Sequence, residues 1–445
     1  MVKPENYTRN RTILRIIPGL LIIGLLIFGI SSCNFPDLGS ILADNSPTDI
    51  PGEAPATPTP MATATPNIPV VQSRTLIVWV PPQFDPGAAS TAGNLFLSRL
   101  DEFHTRRPQT EIQVRVKPAS GDFGILESLQ LTGSAAPLIK PDLIALPRSL
   151  AEEAYNAGLI LPLNEYTESI ENADWYAYGT ALANIDEEII GIPFAGDLMV
   201  MAYKDDTGES PPPDWNEVIA AQKPLAFPAS DPRGLVTLAL YHSLAGELPG
   251  TGEGSFFQEE SLGEVFTYFQ SAQAANVMPY WLTQFETDQQ AWQSYQDRQS
   301  TMVITWSSIL LNAESANTSL AAIPTKAAKS FTYADGWIWC VVPSDLETEQ
   351  EAVELAEFLT EASFINTWGL EAGYLPVRPS GLDTWSGKPY YSTLQKLLLS
   401  AVLIPGNDFL DDYGPAIKDG VVSVLKDQVE PDAALAALLE KVQGP

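Results

Sequence analysis

The chain has 445 residues, enough for one large two-lobed unit or two ordinary domains, and its 45% hydrophobic residues are ample for a packed core. Only 18% of residues are charged, acidic ones dominate, and the net charge is −31. A body this acidic repels phosphate backbones, which excludes nucleic acid as a natural partner. Two cysteines, Cys33 and Cys340, exclude a disulfide scaffold.

The chain opens with Lys3, Arg9, Arg11 and Arg15 against Glu5, a net of +3 that leaves −34 for the rest. An apolar run follows over residues 16–30 and ends in Ile30-Ser31-Ser32-Cys33. That run is short for a membrane span and suits the core of a signal peptide. An aliphatic residue, two small residues and a cysteine resemble the bacterial lipobox. Small side chains let a peptidase reach the bond before the cysteine, whose thiol already carries diacylglycerol. The reading is therefore a lipoprotein signal peptide over 1–32, with lipid on Cys33. Residues 33–74 hold Pro51, Pro55, Pro58, Pro60, Pro66 and Pro69 among Ala and Thr, a composition that buries no core and tends to extended conformations. It reads as a tether holding the body outside the cytoplasm, on the outer face of the membrane.

The body begins with an apolar strand, Leu76-Ile77-Val78-Trp79-Val80. Phe96, Leu100 and Phe103 then recur at helical spacing up to Pro108. A strand over 111–116, a helix over 123–131, a strand over 141–146 and a helix over 150–157 closed by Gly158 complete a β-α-β-α-β rhythm. That rhythm predicts a parallel sheet with crossover helices, whose ligands bind beyond the carboxyl ends of the strands. Strands over 188–193 and 198–203 flank Phe194-Ala195-Gly196-Asp197. The rhythm restarts with helices over 215–222, 234–245 and 262–274 and strands over 225–227 and 301–306. Trp337-Ile338-Trp339-Cys340-Val341-Val342 reads as a buried strand with an inert core thiol. Helices are predicted over 349–360, 364–371, 391–403, 420–426 and 433–442.

Several segments, in order, resemble one family. They are Pro141-Asp142-Leu143-Ile144 with Ala157-Gly158-Leu159-Ile160-Leu161-Pro162-Leu163, then Gly191-Ile192-Pro193 with Met201-Ala202-Tyr203-Lys204. Pro212-Pro213-Asp214-Trp215-Asn216-Glu217, Thr301-Met302-Val303-Ile304-Thr305-Trp306 and Gly373-Tyr374-Leu375-Pro376-Val377 follow. Together they are similar to the family 1 extracellular solute-binding proteins of ABC importers, the group that includes maltose- and oligosaccharide-binding proteins. The likeness runs from about Thr75 to Val442. It implies an α/β, two-lobed periplasmic-binding-protein-like fold with crossing hinge segments and a solute in the interlobe cleft. Lobe one would be 75–195 plus 340–380, and lobe two 196–339 plus 381–445. The chain departs from the family pattern at Lys204 (usually Asn), at Asp214 (commonly Thr) and in lacking the glycine shortly before Trp306.

The resemblance implies a non-enzymatic receptor that needs no cofactor or metal and delivers a small polar solute, a sugar or oligosaccharide first, to ABC permease subunits. Sugars stack their C–H faces on aromatic rings and give their hydroxyls to carboxylates and amides. Asp197, Trp306 and Trp337 are the leading ligand-binding candidates, at strand ends or crossovers. Gln83 and Phe84 follow the first strand, and Arg148 and Ser149 the third. Ser230, Asp231 and Arg233 lie in a loop of the second lobe, where Asp231 equally suits a helix cap before Gly234. Asp335 and Gly336 precede Trp337 on the return crossover, and Tyr413 lies in the late helical region. A polyamine or other polar solute is the nearest alternative ligand. A surface glycoside hydrolase and a receptor for a partner protein are the other classes. His104 and His242 fall on separate predicted helices. No HExxH, CxxC, P-loop or GxSxG occurs, so metal, redox and nucleotide chemistry have no handle.

Overall fold

In the computed structural model, the described residues are 73–443 except 122, 136–138, 205–209, 250–256 and 314–316, and they belong to one compact unit, Pro69–Pro445. The signal-like start, Cys33 and nearly all of the tether lie outside them.

In chain order, the first elements are β1 (Arg74–Val80), α1 (Thr91–Arg106), β2 (Thr110–Val116), α2 (Ile125–Ala135), β3 (Leu143–Pro147) and α3 (Arg148–Asn156). Next come α4 (Ala177–Ala183), the short pair β4 (Asn184–Ile185) and β5 (Glu188–Ile189), and the long β6 (Ile192–Lys204). α5 (Trp215–Ala221), β7 (Leu225–Ala226), α6 (Leu235–Ala245), α7 (Glu259–Ala274), α8 (Asp288–Gln296), β8 (Met302–Trp306), α9 (Ser307–Asn312) and β9 (Thr318–Ala321) follow. The chain returns through β10 (Thr332–Val341) and ends in α10 (Leu346–Leu359), α11 (Ala362–Ala372), α12 (Tyr391–Ser400), β11 (Ala401–Leu403), α13 (Asn407–Leu425) and α14 (Pro431–Gln443).

Local chemistry accounts for many boundaries. The Ser90 hydroxyl accepts from Gly93 N–H to start α1, and Asp214 and Asp345 cap α5 and α10 in the same way. Thr287 and Gln290 form a capping box at α8. Gly158, at φ +66°, turns the chain after α3 where other residues would be strained. Phe96, Leu100 and Phe103 lie on the buried face of α1. Each contributes roughly 1.5–3 kcal/mol by leaving water.

Among the described residues, nine strands form one sheet in the order β2-β1-β3-β10-β6-β8-β7, with β11 on β10 and β9 on β6. β1 pairs parallel with both β2 and β3, as the β-α-β rhythm predicts. The two long strands then cross the molecule. Residues 337–341 of β10 run antiparallel to β3, while 334–339 pair with β6. Beyond Asp197, β6 changes partners: residues 199–203 pair with β8 and 201–204 with β9. So β6 and β10 begin in one strand group and end in the other, and residues 195–198 and 334–337 mark the passage.

Three expectations are corrected. Residues 194–197 do not separate two strands but lie inside the continuous β6, because β10 supplies a hydrogen-bonding partner on that side. The helix expected over 391–403 ends at Ser400, and its last three residues join the sheet as β11. The helix expected over 420–426 starts thirteen residues earlier, at Asn407, and carries Pro415 inside it. α4, α8, α9, β4 and β9 were not anticipated. Cys340 is fully buried in β10, and burial pushes its thiol pKa far up, as suits an inert core residue. Among the described residues no helix is long and apolar enough to cross a membrane.

Candidate functional site

The site is built where β6 and β10 pass between the two strand groups. Antiparallel register sets Gly196 opposite Gly336 and Asp197 opposite Asp335. Side chains alternate along a strand, so these two pairs face opposite sides of the sheet. On the glycine side α4 lies flush: a Cβ on Gly196 would meet Tyr178 Oη at 2.3 Å, and one on Gly336 would meet the Ala195 carbonyl at 2.5 Å and Leu182 Cδ1 at 2.7 Å. The Tyr178 hydroxyl donates to the Pro376 carbonyl at 2.7 Å, and Leu375 exchanges backbone hydrogen bonds with Gly196. A third passing segment is thereby tied to the first two.

The other side carries the aspartates. Asp197 accepts from the Ser307 hydroxyl at 2.6 Å, from Ser308 N–H at 2.9 Å and from the Ser308 hydroxyl. Burial pushes its carboxyl pKa up to about 6 against those bonds, with the Asp335 charge adding to the rise. Asp335 accepts the Gly336 N–H at 2.8 Å. Burial raises its pKa too, opposed by that bond and by the charges of Arg233 and Arg148. Asp288, at the start of α8, is raised to about 7 by burial first and then by Asp231, against Arg233. Four carboxylates and two arginines, drawn from both strand groups, therefore share one electrostatic neighbourhood.

An aromatic wall adjoins them. Phe84 sits at the centre, with its ring 5.0 Å from Trp337 and 5.3 Å from Tyr374, both centroid to centroid. Phe194 stacks on Trp339 behind it at 4.7 Å. Trp337 is half-buried, whereas Trp339, two residues on, is 2% exposed. Burial and then the charge of Asp197 push the Tyr374 hydroxyl pKa up, against hydrogen bonds with the side chains of Gln83 and Trp337. Gln83 itself is exposed.

The structure thus brings together Asp197, Asp335, Gly336, Trp337, Gln83, Phe84, Arg148 and Arg233, and Trp306 adjoins the two serines that hold Asp197. Several candidates also have structural partners. Asp231 accepts from Arg233 N–H and Leu235 N–H and caps α6, the alternative foreseen for it. Ser230 donates to the Thr283 carbonyl, and the Ser149 carbonyl accepts from Asn407. Tyr413 packs on Phe257 and Phe409 in α13. Arg148 is itself tied to Glu152 at 3.1 Å and to the Asn184 carbonyl. Trp306 is only 9% exposed.

Sequence reasoning missed Tyr374, Ser307, Ser308 and Asp288. Tyr374 stood in a motif already noted, and the serines directly follow Trp306. Nothing in the sequence places Asp288 beside Asp231. A separate cavity of about 800 Å³ opens at the far end of β6, beside Lys204, Pro211 and Arg298. Its lining includes none of the groups above. Among the described residues no cluster of His, Cys, Asp or Glu is placed to hold a metal ion.

Two strand groups joined by crossing strands, with polar and aromatic groups gathered at the crossing, define a two-lobed binding protein of the periplasmic type. The family described as bacterial extracellular solute-binding protein matches residues 99–390, and the chain belongs to it. No curated protein matches the chain. Among solved structures, the cyclic α-maltosyl-1,6-maltose binding protein of Arthrobacter globiformis superposes with a TM-score of 0.69 at 17% identity, over 83% of this chain and 98% of that one. The maltose-binding protein MalE of Listeria monocytogenes, in complex with maltose, gives 0.69 at 14%, over 83% and 97%. Maltose-bound MalE3 of T. maritima gives 0.64 at 16%, over 83% and 99%. At these identities the likeness establishes the shared fold.

Proposed function

We propose that the chain is a lipid-anchored, extracytoplasmic receptor that captures a sugar or oligosaccharide and delivers it to an ABC permease. The observation that carries this reading is the half-buried Trp337, two residues along the same strand from Asp335, in ring contact with Phe84 and bonded to the Tyr374 hydroxyl. An apolar face beside hydrogen-bonding groups is what a pyranose ring requires. The solved structures of like fold named above support the same ligand class. The lobes we assign are 75–195 with 340–380 and 196–339 with 381–445. They close about the β6 and β10 crossings to bury the solute and present one closed surface to the permease.

Titration calorimetry with maltotriose tests this. Saturable binding without release of reducing sugar is expected, and its release would move the reading to a glycoside hydrolase. Trp337→Ala should weaken maltotriose binding by about 1–3 kcal/mol while the fold survives. Trp339→Ala, in the core, should instead cost about 3–5 kcal/mol of stability. A Trp337→Ala protein that loses stability yet binds with unchanged affinity would remove that residue from the site.

Anchoring rests on Cys33. Cys33→Ala is expected to leave the precursor uncleaved and without lipid by intact-mass analysis. The same lipidated N-terminus in that variant would refute the assignment.

A further inference from the structure

We propose that Asp335 is the carboxylate that meets the solute, and that Asp197 opposite it is a positioning residue that holds Trp306 in place through Ser307 and Ser308. This rests on the receptor reading above and reverses the order the sequence suggests, in which Asp197 leads and Asp335 follows.

An ionised carboxylate offers about four acceptor positions. Three of those on Asp197 are filled by Ser307 Oγ–H, Ser308 N–H and Ser308 Oγ–H, all from the turn that follows Trp306. The Ser307 oxygen in turn accepts Leu198 N–H at 3.1 Å, which locks the same turn to β6 from a second atom. Asp197 therefore fixes where β8 ends and α9 begins, and with it the direction in which the Trp306 ring leaves the backbone. That leaves Asp197 at most one acceptor position for a solute, on a carboxylate already held by three charge-assisted bonds, each worth more than an ordinary one.

Asp335 is in the opposite condition. Its Oδ1 accepts Gly336 N–H, and among the described residues its Oδ2 accepts nothing. Arg148 and Arg233 both act on its charge, from the end of β3 and from the segment before α6, yet neither forms an ion pair with it. Arg148 is engaged by Glu152 and the Asn184 carbonyl, and the Arg233 Nε lies 3.7 Å from Asp231. A partly buried acceptor left open between two strand groups suits a hydrogen-bond donor from outside. Trp337, next but one in sequence and half-buried, stands beside it. The complementary chemistry is a donor-bearing ring, either a sugar hydroxyl or the ammonium of an amino sugar.

Calorimetry separates the roles, with maltotriose as the hydroxyl probe and fully deacetylated chitotriose as the ammonium probe. Asp335→Asn should weaken the better-bound probe by about tenfold or more, the loss expected of a charge-assisted contact. A loss confined to chitotriose identifies the ammonium, and one seen with maltotriose identifies the hydroxyl. Asp197→Asn and Ser308→Ala should each weaken binding by roughly three- to tenfold, and their double variant by no more than the larger single effect, because both break one clamp. Ser308→Thr, which keeps the hydroxyl, should restore affinity. A merely structural clamp would lower the melting temperature and leave both dissociation constants alone. Asp335→Asn binding within threefold of wild type would overturn the proposal. So would an Asp197→Asn loss above tenfold where Ser307→Ala and Ser308→Ala change nothing. Wild-type protein that binds neither sugar would instead refute the receptor reading on which the proposal stands.

Discussion

Gly336→Ala is expected to destabilise the protein by about 3 kcal/mol, at the upper end of what overpacking usually costs. The added methyl would meet the Ala195 carbonyl at 2.5 Å and Leu182 Cδ1 at 2.7 Å. The first of these is backbone in the adjoining strand and cannot rotate away. Relief would have to come from parting β10 from β6 or from lifting α4, and both break contacts that join the two strand groups. Gly387→Ala is the matched control, since a methyl there meets nothing within 4 Å, and it should stay within about 0.5 kcal/mol of wild type. Urea denaturation of the three proteins decides it. A Gly336→Ala midpoint equal to that of wild type would show that the crossing is looser than its geometry. Gly196→Ala should be costly for a related reason: Tyr178 would have to swing aside and give up its hydrogen bond to the Pro376 carbonyl.

Stability should rise on mild acidification. Burial lifts Asp197 to about 6 and Asp288 to about 7 from an ordinary 3.8. A carboxyl whose pKa is raised by folding binds its proton more tightly in the native state. Its stabilising contribution is complete below the unfolded value and is lost as pH rises through the folded one. Between pH 5 and 7.5, then, the unfolding free energy should fall as pH increases. For Asp288 this amounts to about 1–2 kcal/mol after allowance for its partial exposure. His242 works the other way, since burial lowers its pKa and protonation below its ordinary 6.5 favours the unfolded chain. The comparison with Asp288→Asn isolates the carboxyl: the variant should show a flatter pH dependence by that amount. Equal slopes in wild type and variant would mean that Asp288 is solvated and carries no such penalty.

Much of this architecture was legible before any coordinates. The apolar runs of β1 and β3, the helical recurrence of Phe96, Leu100 and Phe103, and Gly158 after α3 are signals in which periodicity and backbone permissiveness agree with the final packing. The motifs that resemble solute-binding proteins fall at the strand ends and crossings, so Trp337, Asp335 and Phe84 could be nominated from their positions alone. The errors are equally physical. Gly196-Asp197 reads as a turn because glycine and aspartate are poor in strands, and only pairing with β10 makes the segment continuous. Gly414 and Pro415 disfavour a helix interior, and the sequence predicts the helix only beyond them, from 420. Instead the glycine lies against the Pro232 carbonyl, where a Cβ would come within 2.4 Å, and tertiary packing carries the helix through the proline. α8 was invisible because its polar Gln and Ser residues leave too few apolar positions to show a period.

What the sequence determined by itself was local: the order of strands and helices, the caps, the buried apolar faces and the membership of a two-lobed family. These depend on residues within a few positions of one another. What only the tertiary structure decided was which side chains share a space. Asp197 and Asp335 are far apart along the chain and face each other because two antiparallel strands adopt one register, and slipping that register by a single residue would turn every side chain to the other face. The separate register of β8 on β6 brought Ser307 and Ser308 onto Asp197, while Asp335 accepts only the Gly336 N–H among the described residues. Position along the chain names both residues as carboxylates at crossings, but hydrogen-bond satisfaction, which depends on through-space neighbours, separates the one that accepts three bonds from the one that accepts a single N–H.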